Sequence, residues 1–266
     1  MAAISLGRNS LFLPVVSGLI VLAWLTLLIW ERSPYGRYLE HGQWTELGLA
    51  ASICRVVPAG AVVLPAFLYV GGWVLMTVAM MLPTVLPLLN VFGRLTEARP
   101  DRRSLRALVI AGYLVVWGLF GATAHLLDAA LHGLAGFSTW LTFNGWLVGA
   151  CVLALAGAFQ FSRLKYHCLD KCRTPFSFVN QHWRGHSARW RAFLLGGHHG
   201  LYCVGCCWAI MLLMFVVGTG SVGWMLVIGA VMAIEKNMPW GAKLSTPLGI
   251  ALLASAGGVV VAQVWR

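Results

Sequence analysis

Long apolar stretches separated by short polar segments run the whole length of the chain, at residues 11–30, 61–92, 107–131, 145–161, 192–217, 220–240 and 247–264. About 20 apolar residues in a helix cross about 30 Å of hydrocarbon, and 145–161 and 247–264 lie nearest the minimum. The pattern predicts an all-α, polytopic transmembrane helix bundle of seven helices, with six as the alternative count. Residues 11–30 are too long for the core of a cleaved leader, lack a small-residue cleavage pattern and run straight into Glu31-Arg32. They are therefore expected to remain as the first span.

The polar segments set the orientation. With the N-terminus in the cytoplasm, fifteen of the nineteen Lys and Arg fall on the inner side, seven of them in the basic loop 162–191. Only Arg32, Arg37, Arg55 and Arg266 then face outward, as the excess of positive charge in cytoplasmic loops requires. Residues 31–60 form an outer interfacial segment, and one integral membrane domain covers 1–266.

Composition agrees: 59% of residues are hydrophobic and 10% charged, against about 25% charged in soluble domains. The net charge of +11 would suggest nucleic acid in a soluble protein. Here it is concentrated between spans, which predicts membrane lipids as the basic surface's partner and no nucleic acid. The chain lacks G-x-x-x-x-G-K-[ST], so movement of any cargo is passive, ion-coupled or partner-driven.

The most chemically biased stretch is Gly200-Leu-Tyr-Cys203-Val-Gly-Cys206-Cys207-Trp-Ala-Ile-Met211-Leu-Leu-Met214. On a helix Cys203, Cys207, Met211 and Met214 fall within about 80° of one another, with Cys206 about 60° to one side. Such soft sulfur donors select copper, as Cu(I), with zinc second. A tight turn at 218–222 folds the next span back antiparallel, so level residues sum to about 439. That register sets Cys207 beside Met232, Met214 beside Met225, and Cys203 beside Glu235, making a Cys/Met-rich hairpin. A sulfur-rich packed core, with Glu235 paired to Lys236 or Lys243, is the alternative reading of the same residues.

Three further groups carry chemistry. Met76, Met80 and Met81 precede Pro83 and Pro87, whose missing N–H groups commonly kink a span, and these methionines suit a transit path. Cys168 and Cys172 share a helix face in the basic loop, whose remainder, with His182, His186, Trp183 and Trp190, reads as an amphipathic segment on anionic lipid. His125, Asp128 and His132 share a face near the outer end of the third span, where ionisable groups are functional candidates for metal binding or proton relay.

Met76-Thr77-Val-Ala79-Met80-Met81-Leu-Pro83, Lys165-x-x-Cys168-Leu-x-x-Cys172-Arg-x-Pro175, Gly200-x-Tyr-Cys203-x-Gly-Cys206-Cys207-Trp-x-x-Met211 and Glu235-Lys236 occur in that order. Across about residues 70–245 the chain resembles a bacterial family of predicted metal-binding integral membrane proteins with a copper-chaperone-like role. The resemblance implies a multi-pass protein of the bacterial inner membrane. The expected function is non-enzymatic Cu(I) handling through Cys203, Cys206, Cys207, Met211, Met214, Met232, Glu235, Cys168, Cys172, Met76, Met80 and Met81. An accessory or assembly subunit of a membrane metalloenzyme such as a copper oxidase or monooxygenase is the first alternative, with that enzyme or a metallochaperone as partner. A thiol oxidoreductase is the second.

Overall fold

The structure is a computed structural model describing residues 12–33, 63–137, 140, 144–183, 187–217 and 221–265. The outer interfacial segment lies almost wholly outside the described residues, as do the side chain of His132, the turn 218–220 and His186.

Helices form at all seven apolar stretches, and no strand occurs among the described residues. They are α1 (Phe12–Glu31), α2 (Val63–Leu95), α3 (Arg102–Phe137), α4 (Trp146–Phe159), α7 (Ala188–Val217), α8 (Val222–Asn237) and α9 (Ser245–Val264). The basic loop supplies two more, α5 (Arg163–Arg173) and α6 (Pro175–His182). Five of these helical segments, those of α1, α2, α3, α7 and α9, are long and apolar enough to cross a membrane, or six when α4 and α5 count as one bent span. This differs from the expected seven because two elements are short. α4 stops after 14 residues, and the chain restarts at a 63° bend where the Ser162 hydroxyl accepts the Lys165 N–H at 3.1 Å. α8 stops after 16 residues, just before Pro239.

The outer faces are apolar. Val15, Leu19, Val21, Leu22 and Ile29 of α1, and Ile250, Val261 and Val264 of α9, are exposed. A surface of this kind is compatible with burial in lipid and costly in water.

The interior is organised by α3 and α7, the most extensively packed helix pair. Their backbones approach so closely that a β-carbon on Gly112 would run into the Phe193 carbonyl, and one on Gly196 into the Val109 carbonyl. Small residues at helix crossings permit this approach. α2 lies against α3, with the Trp73 indole N–H donating to the Trp117 carbonyl at 3.0 Å and its ring filling the space above Gly121. α8 packs more on α2 than on α7, its neighbour in sequence, because Gly229 receives the Met80 side chain at 3.5 Å. Glu31, at the end of α1, accepts the Val222 N–H at 3.2 Å and so occupies the start of α8. A carboxylate is favourable there because the first turn has unsatisfied donors and a positive dipole end.

α6 is not simply the lipid-facing segment expected after Cys172, and α5 is packed inward with it. Lys165, Cys168, Leu169, Phe178 and Val179 are buried, and the two helices pack against α7 and α2. They close one end of the bundle, beneath the cysteines of α7.

Overpacking the central crossing tests this arrangement. Gly196→Val is expected to lower stability by about 1–3 kcal/mol, seen as a lower thermal unfolding midpoint in detergent. Gly118→Val on α3 should leave it unchanged, since a β-carbon on Gly118 has open space around it.

Candidate metal centre

Cys203, Cys206, Cys207, Met211 and Met214 are all essentially inaccessible, with at most 1% of their surface exposed. Cys203 is the hub. Its carbonyl accepts the Cys206 and Cys207 thiols at 3.1 and 2.8 Å, as expected for groups one helical turn apart. Its own Sγ lies 3.0 Å from the Tyr113 hydroxyl of α3 and 2.8 Å from the Lys236 ammonium of α8. That ammonium is also 3.8 Å from Cys207 Sγ and 3.9 Å from Met81 Sδ. From α5, the Cys172 thiol lies within electrostatic reach of Cys203 and Cys206, while Cys168 packs against Gly205, where a β-carbon would come within 2.7 Å of its sulfur. Five thiols, one thioether, a phenol and an ammonium thus meet where α2, α3, α5, α7 and α8 converge. The six described cysteines are all free thiols.

A family model described as copper chaperone, PpoB2, matches residues 70–260. The chain belongs to the PpoB2 copper chaperone family. Comparisons with curated proteins and with solved structures gave no match. The matched region contains every element around Cys203 and all four motif blocks. The family description supports a copper-related role, suggests metal handling rather than catalysis and hints at a metalloenzyme as partner. No finding supports zinc.

Among the described residues, no group of three or more His, Cys, Asp or Glu side chains is arranged around a common point suited to an ion. The arrangement itself explains this: two thiols turn to the Cys203 carbonyl, and the Lys236 ammonium sits against Cys203, Cys207 and Met81.

Glu235 is not part of the sulfur cluster. It points to the other side of α8, where its carboxylate accepts from the Lys165 ammonium at 2.6 Å and the Ser245 hydroxyl at 2.7 Å. Lys165 also donates to the Gln160 side-chain carbonyl. The expected pairing of Glu235 with Lys236 or Lys243 is replaced by this buried ion pair with Lys165, because α5 folds back against α8. Arg173 continues the same junction by donating to the carbonyls of Glu235, Met238 and Pro239 at 2.5–2.8 Å. These acceptors lie at the end of α8, whose last carbonyls have no partner within the helix.

The methionines divide. Met81 reaches the centre through Lys236, and Met80 is held against Gly229. Met76, Met211, Met214, Met225 and Met232 are buried within the same core. His125 is half-buried and Asp128 buried, within electrostatic reach of each other and outside this cluster.

Sequence reasoning named Lys236 only as a possible partner of Glu235 and passed over Tyr113 and His199. The register rule contained a signal for the first, since Cys203 and Lys236 also sum to 439, and the lysine lies one position from the partner chosen. Tyr113 gave no signal by spacing within its own helix. Its place depends on the close crossing permitted by Gly112 and Gly196.

The buried ion pair gives a test by double substitution. Lys165→Met alone or Glu235→Leu alone should cost about 3–5 kcal/mol by leaving a buried charge uncompensated, whereas the double variant should recover most of that loss. Chemical unfolding of the three variants in detergent distinguishes this from an additive effect.

Proposed function

We propose that this protein binds Cu(I) as cargo at the thiol centre and passes it on within the bacterial inner membrane. The approach of Cys172 from α5 to Cys203 and Cys206 of α7, with Cys207 beside them, is the observation that carries the reading. Thiolate and thioether donors favour a soft monovalent ion, and the family described as copper chaperone supplies the same metal. The N-terminus and basic loops face the cytoplasm, and a single membrane domain holds the site.

In this reading Cys203, Cys206, Cys207 and Cys172 are the ligands, and Cys168 stands beside them as the point of entry or exit. Met81 and Met80 flank the centre, and Met76, Met211, Met214 and Met232 provide soft donors along the core. Glu235 serves as the anchor of Lys165 rather than as a ligand. Lys236 is the resident cation of the centre. Cu(I) displaces a proton from a thiol that it binds, and that proton leaving to solvent offsets the entering charge and limits the cost of an added buried ion. Delivery ends at a membrane metalloenzyme or a metallochaperone, to which the chain is an accessory component.

Copper that survives washing with a Cu(I) chelator is the direct readout. In the purified chain loaded under reducing conditions, Cys203→Ser/Cys206→Ser/Cys207→Ser should reduce that retained copper to background. Retention equal to that of the unsubstituted chain would overturn the reading.

A further inference from the structure

The sulfur centre is buried, so an ion needs a route to it from the surface. Three imidazoles gather where α6 meets α7. His182, the last residue of α6, has its ring 5.1 Å from that of His198 on α7, centroid to centroid. Two imidazoles holding one ion through nitrogen at about 2.0 Å place their centroids about 5–6 Å apart. The observed separation falls in that range.

The His182 ring is also held in the form that a metal needs. Its Nδ1 lies 2.9 Å from the Phe178 carbonyl. A carbonyl only accepts, so Nδ1 carries the hydrogen and the lone pair of the neutral ring is on Nε2. Metal-binding histidines are oriented by this same contact. Phe178 stacks on the ring, with centroids 4.3 Å apart and planes 23° from parallel. His198 is exposed and His182 half-buried, so both are reachable from outside.

Behind them lies His199, 3% exposed, whose Nδ1 has no hydrogen-bond partner among the described residues. Its ring is 5.4 Å from Phe178 and 6.1 Å from Tyr113. Tyr113 in turn reaches Cys203 Sγ. A buried imidazole nitrogen without a partner is costly for packing alone. Here it stands between the surface pair and the sulfur atoms.

The geometry points to a copper-docking site formed by His182 and His198, from which Cu(I) passes by His199 to the thiol centre. Imidazole suits copper and is a less soft donor than thiolate, so the ion moves toward the tighter ligands. This inference rests on the copper-handling reading but concerns separate residues.

The test supplies Cu(I), as its acetonitrile complex, to the full chain in lipid nanodiscs. His182→Gln/His198→Gln should slow entry of copper into the chelator-resistant pool by at least about tenfold, with the final amount unchanged. His198→Gln alone, at an exposed position, should slow it in the same direction and guards against misfolding of the double variant. In the Cys203→Ser/Cys206→Ser/Cys207→Ser chain, X-ray absorption should show chelator-labile copper bound by nitrogen, and adding the two histidine substitutions should remove it. Loading at the unsubstituted rate, or nitrogen-bound copper indifferent to these histidines, overturns the docking site while leaving the thiol reading intact. Histidine-dependent copper in a chain with no resistant pool supports the docking site and sinks the thiol reading instead.

Discussion

A lysine and a glutamate buried together at the end of the bundle hold its parts in place. Removing two such charges from water costs several kcal/mol per ion even after relaxation, and attraction offsets this only with good geometry and additional hydrogen bonds. Lys165 and Glu235 meet both conditions, at 2.6 Å, with Ser245 and Gln160 occupying further hydrogen-bonding positions. The pair joins α5 to α8. On α5 it fixes the level of Cys168 and Cys172, which follow Lys165 on the same helix. On α8 it fixes the rotation that turns the adjacent Lys236 toward Cys203. Neighbouring helix residues point about 100° apart, so one helix end serves an ionic junction and a sulfur cluster without mixing them.

Close packing explains the centre's burial. Glycines at the α3–α7 crossing draw two backbones together and bring the Tyr113 hydroxyl onto Cys203. Gly205 leaves room for Cys168, and Gly229 for Met80. Every described sulfur atom of α7 is consequently shielded, while the outer faces of α1 and α9 remain apolar and exposed. A soft ion held there would be kept from water by packing.

Much of this was legible in the sequence, though unevenly. The apolar stretches located every long helix, and periodicity correctly put Cys203, Cys206 and Cys207 together on buried helix surface. The antiparallel register brought α8 level with them and erred by one residue, choosing Glu235 where Lys236 makes the contact. Level matching fixes height along two helices and leaves rotation undetermined. Rotation here depends on Lys165, 70 positions away in the chain. Two spans were overestimated for a similar reason. Hydropathy continues through Gln160 and Met238, whereas α4 ends at Gln160, ahead of the extended Ser162 that starts α5, and α8 ends just before Pro239. The spacing of His182 and His186 pointed to an amphipathic segment on lipid and gave no sign of His198, because the meeting of His182 with His198 depends on how α6 folds onto α7.

In the proposed function, sulfur from two separate helices serves one ion. Copper-edge X-ray absorption on the purified chain, loaded with Cu(I) and washed with chelator, measures this most directly. The retained copper should show a first shell dominated by sulfur at about 2.3 Å, a distance typical of thiolate ligation. That shell should shrink when Cys172 on α5 is replaced by serine. A shell of nitrogen or oxygen alone, or a sulfur shell indifferent to Cys172, would contradict it.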